Sequence, residues 1–291
     1  MDSPDFFISR PHSLAEALQA LAIPGVRPLA GGTDLIPQWR EGRRELRGMV
    51  DLKQVPELQI ASFQPATGAR IGAALPLSEL YALPWLAQHY GGVDDAARLI
   101  GGWQIQNRAS LGGNLCNGSP SADSAPPLIA HEAVAELVSP QGSRTVPLED
   151  FFTGPGKTRL GPYELLLAVN LPAPRPHAAS AFLRFIPRAE MDIAVASVAA
   201  HVQLDTAREK ILVATIALGA VAPTPVRAIE AEAVLIGQIP SDKLLAAAAA
   251  QAMLAANPID DVRGTAAYRE HLVEVLTVRV LKIALDRARS A

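Results

Sequence analysis

The apolar and polar positions at the start of the chain predict one helix and then two strands. Ser13 opens a capping box, in which glutamate follows the serine by three residues, and leucines recur on one helical face as far as Leu21. The Pro24-Gly25 pair should end this helix. Short, mostly apolar runs at 26–30 and 49–52 then predict strands.

Glycine divides the next part of the chain into short pieces. Apolar runs separated by glycine fill 58–75 and predict strands of a second sheet, joined by tight turns. A helix should also end at His131, with Ser121 or Asp123 as its N-terminal cap. The remaining elements predicted in this part are helices at 84–90 and 94–100 and strands at 133–139 and 164–171.

A proline-rich segment, PAPRP at 172–176, divides the chain into two parts. Prolines stiffen a connection, so this segment predicts a linker between domains. A chain of 291 residues is long enough for two domains that each bury a core. We expect one domain over 1–174, with subdomains at about 1–56 and 57–174, and a second domain over 177–291.

The C-terminal part has the pattern of an antiparallel sheet covered by helices. A strand is predicted at 182–186, and two long strands at 195–204 and 211–218 should pair around the polar turn between them. Three helices should follow. Their predicted starts are marked by Thr224-Pro225, Ser241-Asp242 and Thr265.

Two glycine-rich segments carry the candidate chemistry. The first, AGGTDL at 30–35, follows a predicted strand, and the second, 100–127, is rich in glycine, asparagine and serine. Glycine pairs such as Gly112-Gly113 can adopt backbone angles closed to other residues, so their N–H groups can approach an anion closely. One such segment alone is most simply a surface loop. Two together predict a dinucleotide held between them.

Neither segment is a common nucleotide fingerprint. No G-x-G-x-x-G follows a strand, which leaves a Rossmann fold without support. Gly156-Lys157-Thr158 resembles the end of a P-loop, but Phe151 stands where the first glycine is needed. The short polar side chains that could instead bond phosphate, ribose hydroxyls or the loop backbone are Ser110, Asn114, Ser119, Ser121 and Asp123.

Four motifs, in order along the chain, resemble one family. They are AGGTDL at 30–35, IGA at 71–73, QNRASLGGNLCNGSPSAD at 106–123 and FFTGPGKT at 151–158. Together they are similar to the FAD-binding medium subunit of the molybdenum hydroxylases, the xanthine dehydrogenase and carbon monoxide dehydrogenase family. The resemblance implies an α+β fold. It consists of a two-subdomain FAD-binding domain of the p-cresol methylhydroxylase/vanillyl-alcohol oxidase type, followed by a C-terminal domain of an antiparallel sheet packed with helices.

The resemblance also implies which residues bind FAD. The family has a lysine where this chain has Arg184, so a lysine's contact to the flavin ring does not carry over. Arg188 and Asp192 match family positions. Neither glycine segment contains a histidine that could tether the flavin, which predicts noncovalent FAD. The implied FAD-binding residues are Leu29, Ala30, Gly31, Gly32, Thr33, Asp34, Leu35, Ile71, Ala73, Ser110, Leu111, Gly112, Gly113, Asn114, Cys116, Ser119, Asp123 and Arg184.

The family implies a division of labour among three kinds of chain. This chain would take electrons from a small partner subunit with two [2Fe–2S] clusters and pass them through FAD to an acceptor. A large molybdopterin subunit would perform the substrate chemistry, so no catalytic residue is expected here. The resemblance implies a heterohexamer, that is, a dimer of heterotrimers. Its docking surface should lie where the second glycine segment meets residues 184–192.

Composition and charge narrow these expectations. The net charge is −3 and the sequence has no cluster of basic residues, so nothing in it indicates binding to nucleic acid. No uncharged apolar run is long enough for an integral membrane segment. Cys116 is the single cysteine, so the chain forms no internal disulfide and cannot ligate an Fe–S cluster alone. The histidines lack H-x-x-x-H spacing, so no metal is expected. The default expectation is a cytoplasmic location.

Two other functions are compatible with the same residues. A stand-alone flavin oxidase or dehydrogenase would need a substrate pocket of its own, and a chain of 291 residues has no separate substrate domain. A non-catalytic module would hold a nucleotide only for structure or regulation. Flavin bands in a visible spectrum distinguish the flavoproteins from this module, and an assay of the chain alone distinguishes the oxidase from the subunit.

Overall fold

The computed structural model describes residues 6–188 and 191–291, and it begins with a small parallel sheet. Its elements are β1 (Phe7–Ser9), α1 (Leu14–Leu21), β2 (Val26–Leu29), α2 (Leu35–Arg40) and β3 (Gly48–Asp51). The strands lie in the order β1-β3-β2 and both pairings are parallel. Ser13 caps α1, as predicted, because its side chain accepts a hydrogen bond from the N–H of Glu16.

The second subdomain is built on a five-stranded sheet. Its strands, with a small separate hairpin, are β4 (Ala61–Gln64), β5 (Gly68–Gly72), β6 (Val134–Ser139), β7 (Gly142–Pro147), β8 (Phe152–Gly154), β9 (Lys157–Thr158) and β10 (Leu165–Leu171). The large sheet is antiparallel, in the order β4-β5-β10-β6-β7, and β8 pairs with β9 alone. The central strand β10 is buried along almost its whole length.

Six short helices lie between β5 and β6, and all of their leucines except Leu99 are buried in the core beside this sheet. They are α3 (Leu77–Leu80), α4 (Pro84–His89), α5 (Gly91–Leu99), α6 (Trp103–Gln106), α7 (Leu111–Asn117) and α8 (Ala125–Ala130). Every residue of α8 is buried. Short 3-10 turns at Leu52–Gln54, Pro56–Leu58 and Leu148–Asp150 complete this part of the fold.

The C-terminal domain is an antiparallel sheet with helices against it, as the sequence pattern predicts. Its elements are β11 (Ala178–Phe185), β12 (Ala196–Leu204), β13 (Ile211–Gly219), β14 (Val226–Arg227), α9 (Ile229–Leu235), α10 (Asp242–Leu254) and α11 (Ala266–Ser290). The strands follow chain order, β11-β12-β13-β14. One face of α11 buries Leu272, Val273, Leu276 and Val280 in the core of this domain. Among the described residues, no helix has the length and apolar character needed to cross a membrane.

The structure corrects some predicted elements. Thr224-Pro225 does not cap a helix, because β14 follows directly and α9 begins after Ala228 without a side-chain cap. Ser241 and Thr265 do cap α10 and α11. The strands β1 and β7 and the β8–β9 hairpin were not predicted. Their segments are short or polar, and all of β7 except Val146 is exposed.

Polar contacts join the second subdomain to the C-terminal domain along one seam. Arg287 of α11 donates to both carboxylate oxygens of Asp95 in α5, at 2.7 and 3.0 Å. The N–H of Gly92 donates to Ser180 Oγ on β11 at 2.8 Å. A Cβ on Gly92 would lie only 3.1 Å from that oxygen, so glycine permits the close approach of α5 to the C-terminal sheet.

Two buried histidines meet at this seam, one from each side. His131 follows α8 and places Nε2 2.7 Å from Ser180 Oγ, and its ring centroid lies 4.6 Å from that of His201 on β12. Burial lowers the pKa of His201 to about 4, with a smaller contribution from Arg175. Burial, then the charges of His201 and Arg175, hold the pKa of His131 well below its usual 6.5. Both rings are therefore neutral at pH 7.

Stability should fall as the pH drops below 6.5, and His201 should account for part of the fall. An exposed histidine in the unfolded chain takes up a proton near pH 6.5, whereas the buried ring does so only near its lowered pKa of about 4. The unfolded state binds more protons in this window. Each such histidine should therefore remove up to about 1.4 kcal/mol of unfolding free energy per pH unit.

Urea unfolding at pH 7 and pH 5 measures this effect. His201→Gln should show a smaller stability difference between the two pH values than the unaltered chain. His271→Gln serves as the control, because the side chain of His271 is 65% exposed on α11 and should not contribute. Equal pH dependence in His201→Gln and the unaltered chain would contradict the buried neutral ring.

Candidate functional site

The first glycine segment is a turn that packs its backbone against the second segment. It connects β2 to α2, and Gly32 adopts a left-handed backbone angle, with a φ of 76°. A Cβ on Gly31 would lie 2.1 Å from the carbonyl oxygen of Arg108. No side chain fits into this contact. The two segments that were predicted to hold a dinucleotide are therefore direct neighbours.

Gly112-Gly113 lie in a helix of the second segment and do not use the positive backbone angles that are open to glycine. Both glycines lie in the first turn of α7, where Ser110 is the N-cap and accepts a hydrogen bond from the N–H of Gly113 at 3.1 Å. The left-handed glycine is instead Gly118, which ends the helix with a φ of 64°.

The two helical glycines have different surroundings. The N–H of Gly112 donates to the carbonyl oxygen of Ala73 at 3.0 Å, and a Cβ there would lie 2.4 Å from this oxygen. A Cβ on Gly113 would meet only Ser110 Oγ at 3.2 Å and Ala30 Cβ at 4.0 Å. Gly112 thus serves close packing against a backbone oxygen, whereas a Cβ on Gly113 would touch only side-chain atoms of Ser110 and Ala30. We call the space between the first glycine segment and α7 the cleft.

Short polar side chains of the second segment mostly hold the segment itself. Asn114 Oδ1 accepts hydrogen bonds from Oγ of Ser124 at 2.6 Å and from its N–H at 3.3 Å. Ser119 Oγ accepts a hydrogen bond from the N–H of Ser121 at 3.2 Å. The loop-bonding role considered for these residues is therefore present in the structure.

Lys53 supports the first glycine segment through a contact between residues distant in the sequence. Its Nζ donates to the carbonyl oxygen of Ala30 at 3.3 Å and lies 2.5 Å from Oδ1 of Asp51. Asp51 also accepts a hydrogen bond from the N–H of Lys53, at 3.2 Å. Because Ala30 precedes Lys53 by 23 residues, no local pattern could have indicated this contact.

Asp123 does not cap α8, and neither does Ser121, which corrects the sequence prediction. The N-cap position belongs to Ser124, whose side chain makes no capping hydrogen bond. The carboxylate of Asp123 instead pairs through Oδ2 with Nη1 of Arg184 on β11. Nη2 of Arg184 donates to the carbonyl oxygen of Leu99 at 2.6 Å. Both charged side chains are more than nine-tenths buried.

Two atoms of this buried pair have no hydrogen-bond partner. They are Oδ1 of Asp123 and Nε of Arg184, judged over residues 6–188 and 191–291. Burial raises the pKa of Asp123 to about 6, although the charge and hydrogen bond of Arg184 act to lower it. Buried polar atoms are usually paired, so an orphaned carboxylate oxygen in the segment between α7 and α8 indicates a ligand group.

Several of the implied site residues lie in the core. Leu29, Ile71 and Leu111 are at most 7% exposed, so their side chains pack behind the backbone that borders the cleft. Asp34 is exposed at the start of α2 and makes no capping hydrogen bond. Burial raises the pKa of the Cys116 thiol to about 12, so it stays protonated and is a poor nucleophile. Within the described part of the chain, no three His, Cys, Asp or Glu residues are grouped as a metal site.

The domains around the cleft match known families over most of the chain. Residues 4–174 match the FAD binding domain in molybdopterin dehydrogenase, and residues 181–284 match the CO dehydrogenase flavoprotein C-terminal domain. The chain belongs to the FAD-binding medium subunits of the molybdenum hydroxylases. The fold inferred from the four motifs is thereby confirmed.

Individual members of this molybdenum hydroxylase family align along nearly their whole length. The xanthine dehydrogenase FAD-binding subunit of Escherichia coli is 35% identical over 281 residues, covering 96% of each chain. The carbon monoxide dehydrogenase medium chain of Afipia carboxidovorans is 33% identical over 287 residues, covering 98% of each chain. Carbon monoxide dehydrogenase from Hydrogenophaga pseudoflava superposes with a TM-score of 0.92 at 30% identity, covering 99% of each chain.

The residues around the cleft fit the FAD of this medium-subunit family. Gly113 adds no side chain on the side of α7 that faces Ala30. The backbone at Gly31 and Gly32 can approach an anion without an intervening side chain. The orphaned Oδ1 of Asp123 supplies an acceptor for a hydroxyl or N–H.

Alanine substitutions should separate the packing role of Gly112 from the role of Gly113. Gly112→Ala forces a Cβ against the Ala73 carbonyl and should lower the unfolding free energy by about 1–3 kcal/mol, typical of overpacking. Gly113→Ala adds a Cβ that would meet only side-chain atoms, Ser110 Oγ at 3.2 Å and Ala30 Cβ at 4.0 Å, and the better helix propensity of alanine offsets this contact, so stability should change by less than about 1 kcal/mol. Urea unfolding of the FAD-free variants measures both values. Equal losses would contradict the difference in surroundings.

Proposed function

We propose that the cleft holds the pyrophosphate of FAD between the first glycine segment and α7. The observation that carries this proposal is the geometry of the two segments. Gly31 fixes their contact at Arg108, and Gly113 keeps a side chain away from Ser110 and Ala30. Backbone N–H groups and the short side chains of Thr33 and Ser119 are suitable donors to phosphate. The full set of FAD-binding residues is the one that the family resemblance implies.

The chain acts in this proposal as an electron carrier. Bound FAD supplies reversible uptake and release of one or two electrons. The residues of the chain bind it, orient it and keep reactive groups away from it. Cys116, the nearest candidate nucleophile, is held as a neutral thiol by burial.

Exposed apolar side chains lie beside Arg184, and we name them the docking patch. They are Leu99, Trp103, Met191 and Ile193, with exposed fractions of 38%, 65%, 56% and 49%. A Cβ on Gly102 would lie 3.6 Å from Cγ of Met191, so the region around Trp103 and Met191 is continuous. Ala189 and Glu190, which belong to the predicted docking surface, lie outside the described residues.

We infer that the docking patch faces the small subunit with two [2Fe–2S] clusters. A group of exposed apolar side chains is typical of protein interfaces, and Trp and Met are enriched there. The same proposal includes the large molybdopterin subunit, a heterohexamer built as a dimer of heterotrimers, and a cytoplasmic location. A chain with one cysteine is compatible with the reducing cytoplasm.

Gly113→Val should abolish FAD retention while leaving the fold intact. The branched side chain would crowd Ser110 and Ala30 between the two segments, where the phosphate oxygens are proposed to lie. The ratio of flavin to protein absorbance after gel filtration measures retention, and circular dichroism monitors the fold. Ala247→Val, on an exposed position of α10, adds bulk far from the cleft and should retain FAD. Full flavin content in Gly113→Val would contradict the proposal that the pyrophosphate lies between the first glycine segment and α7.

Trp103→Glu should prevent docking of the Fe–S subunit without loss of FAD. A charge placed in the desolvated centre of an interface typically weakens association by several kcal/mol. Co-purification of the co-expressed subunits from the host measures docking, and the visible spectrum measures FAD. Leu254→Glu is the matched control, because Leu254 is 70% exposed at the end of α10 and lies outside the docking patch. Normal co-purification of Trp103→Glu would rule out this surface.

A further inference from the structure

Arg184 reaches from the C-terminal domain into the FAD-binding domain. It lies on β11, yet its guanidinium bonds the carboxylate of Asp123 and the carbonyl oxygen of Leu99, at the end of α5. Its side chain is only 5% exposed. A guanidinium can hold two acceptors at once because its N–H groups form a rigid fork. The orientation of Asp123 is thus set by a residue of the other domain.

The carboxylate of Asp123 is held with one oxygen toward Arg184 and the other unpaired. Its side chain is 8% exposed, and Oδ1 has no hydrogen-bond donor among the described residues. A charged group buried with incomplete hydrogen bonding is costly. A donor from the cofactor would complete this arrangement.

We propose that Arg184 is a positioning residue for FAD, which fixes Asp123 so that Oδ1 accepts a hydrogen bond from a hydroxyl or N–H of the cofactor. This inference rests on the proposed function, in which FAD occupies the cleft. It makes the C-terminal domain a part of the cofactor site. It also makes FAD binding sensitive to the protonation of Asp123.

The direction of the pH effect follows from the hydrogen bond. Without FAD, burial holds the pKa of Asp123 near 6. A donor from FAD favours the ionised carboxylate and lowers this pKa. Below pH 6, binding must therefore release the carboxyl proton of Asp123 to the solvent, so FAD affinity should rise with pH. If a carbonyl or phosphate oxygen of FAD faced Oδ1 instead, the protonated acid would be favoured and affinity would fall.

Asp34, in the first glycine segment, also has a pKa raised by burial, with an opposing effect of Arg43, and Asp123→Asn separates the contributions of the two carboxylates. Arg184 is the charged side chain that shifts the pKa of Asp123 in the described part of the chain. Arg188 and Asp192, beyond the end of β11, pair with each other at 3.4 Å. Burial lowers the pKa of both seam histidines, to about 4 for His201 and well below 6.5 for His131.

Titration of the FAD-free chain with FAD tests the inference without any activity assay. Quenching of flavin fluorescence gives the Kd from pH 5.0 to 7.5, and calorimetry in two buffers of different ionisation enthalpy gives the protons released. The Kd should be about tenfold higher at pH 5.0 than at pH 7.5. Proton release should approach one per FAD at pH 5.0 and vanish at pH 7.5.

Four variants separate positioning from a purely structural role. Asp123→Asn should bind FAD more weakly, with a Kd that no longer changes with pH. Arg184→Gln should raise the Kd about tenfold and move the pH midpoint upward, because the cation that favours the carboxylate is lost. Arg184→Lys keeps the positive charge but lacks the forked N–H groups of the guanidinium. Compared with Arg184→Gln, it should bring the pH midpoint closer to that of the unaltered chain than it brings the Kd. Asp95→Asn disrupts another arginine–carboxylate pair across the seam and should keep the normal pH dependence.

The outcomes distinguish this inference from the proposed function. A Kd independent of pH, or one that rises with pH, would overturn the hydrogen bond to Oδ1. An Arg184→Gln variant with the Kd and midpoint of the unaltered chain would overturn the positioning role. If the folded chain bound no FAD at any pH, the proposed function itself would fail. Strong binding without pH dependence would refute only the role of Asp123 and Arg184.

Discussion

The cleft depends on close backbone packing between its two walls. Gly31 brings the turn after β2 against the carbonyl oxygen of Arg108, and Gly112 seats α7 directly on Ala73. Side chains at either position would meet backbone oxygens far inside van der Waals distance, and a packed interior can relieve such contacts only by moving whole segments. These glycines therefore fix the separation of the walls. Gly113, on the side of α7 that faces Ala30, adds no side chain between the walls.

The sequence predicts some elements well because their signals are local. Ser241 and Thr265 cap helices through hydrogen bonds to N–H groups only three residues later, so a short pattern suffices. Gly112-Gly113 show the limit of such patterns. Glycine has a low helix propensity, which favours a loop, but the cap of Ser110 and the burial of Leu115 make this short helix stable in its tertiary context.

Contacts between distant residues could not be read from local patterns. The family resemblance placed both Asp123 and Arg184 at the FAD site, but it did not indicate that the two residues, 61 positions apart, bond to each other. The local pattern around Asp123 predicted a helix cap, because aspartate before an apolar run is typical of one. In the structure Asp123 pairs with the buried Arg184 on β11 instead of capping the helix, since pairing of both charges offsets the cost of their burial.

The short helix α8 connects the domain seam to the proposed FAD site. Asp123 and Ser124 lie at its start and His131 at its end, and all six residues between are buried. A helix of this length spans about 9 Å, and neither end can shift without displacing core side chains. The neutral histidines and the Arg287–Asp95 pair hold the seam at one end of α8, while Arg184 holds Asp123 at the other. For an electron carrier, whose task is to keep a cofactor at a fixed position, the C-terminal domain is thus part of the site's framework.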